Sequence, residues 1–154
     1  MLLPAGCGGG GGPAPEKTVR GAGFHFAAPG DWAVARNPRV VQASKGVRLV
    51  SVTRYVLVHA YRPGLFAHVV PELDRAAAAV ARQQNGRVTA SRTVTVSGRR
   101  ARSYELAYSR DGKKLVERIT FVLRGKTEFY LLCRYKGGGG TDACERLLAT
   151  FVLD

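Results

Sequence analysis

The 154-residue chain has few acidic residues, and it has no apolar run long enough to cross a bilayer. Aspartate and glutamate number 11 against 24 lysines and arginines, which gives a formal net charge of +13 and an isoelectric point of about 10.4. A membrane-spanning helix needs about 18 or more consecutive apolar residues, and this sequence contains none. The excess of positive charge favours contact with anionic material such as nucleic acid, acidic lipid or wall polymer.

The motifs of the common enzyme classes are also missing. The three histidines, His25, His59 and His68, lack the spacing of a metal site. There is no nucleophile elbow, P-loop or dinucleotide fingerprint, and no C-x-x-C pair. The sequence therefore predicts no catalytic residue, no metal site and no cofactor, and it favours a binding or accessory protein over an enzyme.

Alternating side chains predict four antiparallel strands between Val88 and Tyr135. The alternation is clearest from Leu115 to Arg124 and from Lys126 to Tyr135, where apolar residues occupy every second position. Residues that tolerate a positive φ separate the runs, at Ser97-Gly98, Asp111-Gly112 and Arg124-Gly125-Lys126. We therefore expect an α+β fold built on this meander.

Two helices are predicted to pack on the sheet. The first begins at Pro71, after a loop from His59 to Val70, and ends at Asn85-Gly86. Its apolar stripe consists of Leu73, Ala76, Ala77, Val80 and Ala81. The second follows Gly137 to Gly140 and places Cys144, Leu147, Leu148 and Phe151 on one face.

The first residues resemble the signal of a bacterial lipoprotein. Leu3-Pro4-Ala5-Gly6-Cys7 is similar to a lipobox, in which small residues precede the cysteine that receives lipid, although the upstream apolar stretch is short and lacks basic residues. Five glycines follow, and they suit a flexible tether. We therefore expect residues 1–18 to form a truncated lipoprotein signal and tether, with Cys7 lipidated. Residues 19–154 would form a single α+β domain on the outer face of the cytoplasmic membrane, or in a secreted protein.

The other two cysteines allow two interpretations. If Cys7 carries lipid, Cys133 and Cys144 remain as a pair, and the glycines between them make approach easy. A disulfide there would stabilise the fold by about 3 kcal/mol in the loop-entropy account, and would suit an oxidising compartment outside the cytoplasm. The alternative is two buried thiols that face the core.

From Phe24 to Leu153 the order of features resembles the PsbP/Mog-like fold. The resemblance rests on Phe24-x-Phe26-x-x-Pro29-x-x-Trp32, on the helix before the meander, on Ser97-Gly98-Arg99-Arg100-Ala101 and on a last helix leading into Phe151-Val152-Leu153. It implies a central antiparallel sheet with helices on its faces. Together with the N-terminus, it makes the chain similar to small envelope lipoproteins of the LpqN type. Members of this fold bind partners as different as photosystem subunits and a small GTPase, and no residues here match those binding motifs.

The basic outer face of the meander is the predicted binding surface. It comprises Arg102, Arg118, Arg124, Lys126 and Arg134, and its expected partner is an anionic envelope polymer or an acidic protein. Two alternatives stay open. A nucleic-acid-binding domain is disfavoured because the glycine-aromatic signature of an RNA-binding sheet is absent, and a carrier of an apolar small molecule would need a cavity between sheet and helix.

Overall fold

A computed structural model describes residues 15–154, which form nine strands, one short 3₁₀ helix and two α-helices. In chain order the elements are β1 (Glu16–Gly21), β2 (Phe24–Pro29), β3 (Ala33–Arg36), β4 (Val40–Lys45), β5 (Arg48–Tyr61), the 3₁₀ helix (Pro63–Leu65), α1 (Phe66–Gln83), β6 (Arg87–Val96), β7 (Arg99–Arg110), β8 (Lys113–Lys136), α2 (Asp142–Thr150) and β9 (Val152–Leu153). None of the helices among these residues is both long enough and apolar enough to cross a membrane.

Two antiparallel sheets organise these elements. The large sheet has six strands in the order β3-β4-β5-β8-β7-β6, and the small sheet has three in the order β1-β2-β9. Two-residue loops join β6 to β7 and β7 to β8, and both residues of each loop, Ser97-Gly98 and Asp111-Gly112, have positive φ. The predicted α+β class and these two predicted turns are confirmed.

Strand β8 folds back on itself at Gly125. A straight strand of 24 residues would extend roughly 80 Å, yet the amide of Gly137 donates to the carbonyl of Lys114 at 2.9 Å. The rings of Phe121 and Tyr130 lie 5.4 Å apart, and Gly125 has a φ of 56°. One arm of β8 pairs with β7 and the other pairs with β5. The predicted turn at Arg124-Gly125-Lys126 therefore exists, and β8 supplies the last two strands of the predicted meander.

Helix α1 begins five residues earlier than predicted. It starts at Phe66, directly after the 3₁₀ helix, so Pro71 lies inside it. No side chain caps its N-terminus, so the cap signals that usually mark a helix start are missing. The predicted end is correct: Asn85 has a φ of 55°, and the Gly86 amide donates to the carbonyl of Ala81.

The two faces of the large sheet carry separate apolar cores. On one face, Leu73, Ala77 and Ala81 of α1 pack against buried residues of β7 and β8, whereas Ala76 is exposed. On the other face, the small sheet and α2 cover the sheet, and Phe24 and Leu147 are each 1% exposed. Both helices therefore pack on the sheet, on opposite faces.

The small sheet was not predicted. Strand β1 begins at Glu16, so the boundary predicted at residue 18 falls inside a strand. The Pro15 carbonyl accepts a hydrogen bond from the amide of Gly30, and Glu16 forms an ion pair with Arg146 of α2. The chain is thus held to the domain from residue 15 onward.

Candidate functional site at the open edge of the large sheet

The five predicted binding residues do not lie on one surface. Arg118 is 6% exposed and lies on the face that α2 and the small sheet cover. Its guanidinium donates to Glu105 of β7 and to Glu145 of α2, each at 3.0 Å. This side chain joins the sheet to the helix and has little surface to offer a partner.

Arg102 and Arg134 lie on the opposite face, beside α1. The Arg102 Nε is 3.4 Å from Asp74 of α1, and its guanidinium stacks over the ring of Tyr104. Arg134 donates to the carbonyl of Val47 at 3.0 Å. Both side chains therefore have structural partners on this face.

Arg124 and Lys126 flank the tip of the β8 hairpin, where both are exposed. Arg124 donates to the backbone carbonyl of Asp154 through contacts of 3.3 and 3.4 Å. The single basic face that the alternation predicted is therefore wrong in its geometry, since its members divide between two covered faces and a hairpin tip. Binding by Arg124 and Lys126 stays a prediction.

A buried carboxylate joins the two arms of β8 near Arg134. Glu117 is 1% exposed; it accepts a hydrogen bond from the Tyr108 hydroxyl at 2.7 Å and lies 3.8 Å from the Arg134 guanidinium. Burial, reinforced by the bond to Glu117, raises the pKa of Tyr108 to about 12. The Tyr108 hydroxyl therefore stays protonated and donates to Glu117 at neutral pH. Together with Arg134, these two side chains link β7 to both arms of β8 within the core.

The predicted disulfide is present. Cys133 of β8 and Cys144 of α2 are bonded, with their Cα atoms 5.4 Å apart. The bond closes the glycine-containing loop between the large sheet and α2. Cys7, the predicted site of lipidation, lies outside the described residues.

A cleft between α1 and the outer part of β5 contains a desolvated carboxyl group. The cavity is about 350 Å³. Its apolar walls are formed by Leu57, Val58, Tyr61, Leu65, Val69, Leu73 and Leu123. Glu128 reaches into it from β8, and burial alone raises the pKa of this carboxyl group. We name this feature the α1–β5 cleft; a half-buried acid with a raised pKa in an apolar cleft is characteristic of a binding site.

Replacement of Glu128 with glutamine is expected to raise the midpoint of thermal unfolding at neutral pH. Because its pKa is raised above the ordinary value of 4.5, the folded protein holds this proton to a higher pH than the unfolded chain does. The stability that the carboxyl contributes is therefore present below 4.5 and is lost as the pH rises through the folded-state pKa. Glutamine does not titrate, so the difference between variant and wild type should shrink as the pH falls.

Thermal unfolding followed from about pH 8 down to about pH 4 tests this expectation. Glu72→Gln is the matched control, since Glu72 is an exposed carboxylate at the mouth of the same cleft. A gain for Glu128→Gln that stays the same at every pH would contradict the account.

A second site lies where β5 continues past the end of its neighbour. The pairing of β4 with β5 stops at Val40 and Thr53, and one further bond joins the Arg54 amide to the Arg39 carbonyl at 3.0 Å. Beyond this point β5 runs on to Tyr61. Val56 and Val58 there are 88% and 84% exposed. Two strongly exposed valines on an open strand edge are unusual, because natural edges are commonly protected by lysine or proline.

A notch of about 380 Å³ opens beside this edge. It is lined by Pro38, Arg39, Arg54, Tyr55, Val56 and Thr127. The Nε of Arg54 is buried and has no hydrogen-bond partner among the described residues. We call this feature the edge notch; it combines two guanidinium groups, an exposed apolar strand and free backbone positions. The sequence signal for it is the run Tyr55-Val56-Leu57-Val58, which extends β5 beyond the length of β4.

The described part of the chain shows no cluster of three or more histidine, cysteine or acidic side chains that could hold a metal ion. A further depression lies beside the disulfide and is lined in part by Trp32, Arg48 and Arg146. Arg48 stacks over the Trp32 ring and Arg146 is paired with Glu16. These cations are therefore already engaged within the fold.

The arrangement of sheets and helices is a PsbP-like fold, as predicted. No family model matches the chain, and no curated protein matches it. Cyanobacterial PsbP from Synechocystis sp. is similar with a TM-score of 0.61 and 13% identity, over 97% of this chain and 98% of that one. LpqN, which is involved in cell envelope biogenesis of Mycobacterium tuberculosis, is similar with a TM-score of 0.54 and 11% identity, over 90% of each chain.

A protein of Bacteroides thetaiotaomicron is similar with a TM-score of 0.63 and 12% identity, over 92% of this chain and 49% of that one. The chain therefore spans about half the length of that protein. Identities at this level establish the fold alone.

Proposed function

We propose that this protein is a non-enzymatic binding or accessory protein of the cell envelope, anchored through lipid on Cys7 at the outer face of the cytoplasmic membrane. The observation that carries the proposal is the Cys133–Cys144 disulfide, since structural disulfides persist in oxidising compartments outside the cytoplasm. The PsbP-like fold, shared with an envelope-biogenesis protein, supports the same compartment.

The proposed partner is an anionic envelope polymer or an acidic protein, and the structure favours the edge notch as the contact. Strand β1 enters the fold beside Trp32, where Lys17 donates to the Trp32 carbonyl. It leaves near Arg36, which donates to the Arg20 carbonyl. The notch lies just beyond Arg36, so roughly 20 Å of strand separates it from residue 15. A chain anchored before residue 15 would present the notch away from the anchor.

Intact mass of the protein from its native cell tests the proposal, measured with and without reductant and alkylating agent. We expect a diacylglyceryl adduct on Cys7 and an oxidised Cys133–Cys144 pair. An unmodified N-terminus with three alkylatable thiols would overturn the proposal. That result would favour the alternative of a cytosolic nucleic-acid-binding domain.

The α1–β5 cleft supports a second candidate function, a carrier of an apolar small molecule. Its position between helix and sheet and its apolar walls suit a ligand with an apolar body and a hydrogen-bond donor that meets Glu128. The neutral dye Nile red is a suitable probe: saturable binding that Leu73→Gln weakens would support this function, and absence of binding would count against it.

A further inference from the structure

The edge of β5 beyond Arg54 offers backbone groups that have no strand partner on the β4 side within residues 15–154. In an antiparallel strand, alternate residues direct their N–H and C=O groups to the same neighbour. Arg54 directs its amide toward the β4 side, where it meets Arg39, so Val56 directs its own groups to that side as well. The described pairing with β4 has already ended at Thr53. An added strand could therefore continue the sheet at this edge.

The side chains around this edge select the charge of an added strand. Arg39 and Arg54 line the notch, and the buried Nε of Arg54 has no hydrogen-bond partner in the part of the chain that the structure describes. Lys126 adjoins Thr127, which is paired with Val56. The nearest carboxylate of this strand pair, Glu128, points into the α1–β5 cleft instead. A second copy of this chain would bring the same cations to the edge, so charge complementarity favours an acidic strand.

We propose that an extended acidic segment of a partner protein adds to the large sheet along Val56–Val58, with its carboxylates against Arg39 and Arg54. The main-chain bonds of such an addition supply affinity and the alternate side chains supply specificity. This inference deepens the proposed function, because it defines which chemistry of partner the anchored protein would bind.

The test uses the full oxidised chain and a capped ten-residue peptide of alternating glutamate and valine. A lysine–valine peptide of the same length is the charge-reversed control. We expect the glutamate peptide to bind in a manner that salt weakens, and to slow hydrogen exchange at the Val56 and Val58 amides, measured by NMR. The lysine peptide should leave that exchange unchanged.

Two variants locate the contact. Arg54→Gln should weaken binding at least about tenfold, since it removes a charge-assisted hydrogen bond and tenfold corresponds to about 1.4 kcal/mol. Arg39→Gln, at an exposed position, should weaken it in the same direction without affecting the fold. Arg92→Gln is the matched control, because Arg92 is an exposed arginine on β6, the strand at the other edge of the sheet.

Three results would overturn the inference: no slowing of exchange at Val56 and Val58, equal binding of the lysine peptide, or an equal loss with Arg92→Gln. Because the peptide assay does not depend on lipid at Cys7, its failure would leave the proposed anchoring and compartment standing. Conversely, if the protein is not lipidated but binds the glutamate peptide, the proposed anchoring is wrong and the proposed docking edge stands.

Discussion

Replacement of Arg118 with glutamate is expected to lower the free energy of unfolding by more than about 4 kcal/mol. The new carboxylate would stand at a position that is 6% exposed, between Glu105 and Glu145, which now accept the two hydrogen bonds of the arginine. Three carboxylates would then share one partly desolvated site, and like charges without a cation disfavour ionisation there. The variant should fold only weakly, if it folds at all.

Arg124→Glu is the matched control for this charge reversal. Arg124 is exposed at the β8 hairpin tip, and its hydrogen bonds among the described residues go to one backbone carbonyl, so its reversal should change stability by about 0.5 kcal/mol or less. Arg118→Met keeps the apolar stem and should cost far less than the glutamate. Urea unfolding of the oxidised proteins gives all three values. Equal stabilities for the two glutamate variants would contradict the structural role assigned to Arg118.

Replacement of Phe24 with alanine is expected to cost about 3–5 kcal/mol, the usual range for a fully buried aromatic residue. Phe24 is 1% exposed, and the centroid of its ring lies 5.7–6.4 Å from the ring centroids of Phe26, Phe129 and Phe151. It joins the small sheet to the large one, so its loss would leave a cavity between them. Since domains of this size have a total stability of about 5–15 kcal/mol, the loss is a large fraction of the whole.

Val56→Ala is the control for Phe24→Ala, because Val56 is 88% exposed and its truncation leaves no cavity in the core. Gly21→Ala tests the same packing independently: a Cβ at Gly21 would lie 2.0 Å from the Phe24 ring, so this variant should also destabilise the protein. The comparison is made by urea unfolding, and a Phe24→Ala loss as small as that of Val56→Ala would show that the aromatic cluster does not join the sheets.

The hairpins could be predicted because their signals are local. A two-residue loop needs backbone conformations that few residues adopt, and Asp111-Gly112 supplies them within the turn itself. Gly125 supplies a positive φ between two strongly alternating runs, so the fold-back of β8 can be predicted without knowledge of the strands that pair with it.

The missed elements lack such local signals. Burial alternates along β1, but Val19 is its only buried apolar residue, so the sequence shows no apolar alternation and resembles a continuation of the preceding tether. Helix α1 starts without a side-chain cap, and Pro71 occupies an interior position that resembles a first turn. Packing against the rest of the protein, rather than local preference, determines both boundaries.

The candidate site depended on relations between distant parts of the chain. The sequence pattern predicted one basic face for Arg102 and Arg118, and it could not show that they lie on opposite faces that α1 and α2 cover. Glu145 reaches Arg118 from 27 residues away. The edge notch arises because β5 continues for eight residues beyond Thr53, which pairs with the first residue of β4. The length of each strand is set in its own part of the sequence, so the mismatch shows only when the two strands are paired.

The pairing of β2 with β9 has a consequence for the order of folding. His25 contacts Asp154 across 129 residues, whereas the β3–β4, β4–β5, β6–β7 and β7–β8 hairpins of the large sheet close over loops of two or three residues, and such hairpins form within microseconds. Non-local pairings form late because closing a long loop costs conformational entropy before the contacts that it allows can stabilise the chain. The large sheet should therefore form before its second face is covered, leaving Val50, Val52 and Leu131 open to solvent in the interval. Helix α2 and strand β9 lie at the end of the described chain, so that apolar face is covered only once residues 142–153 are available.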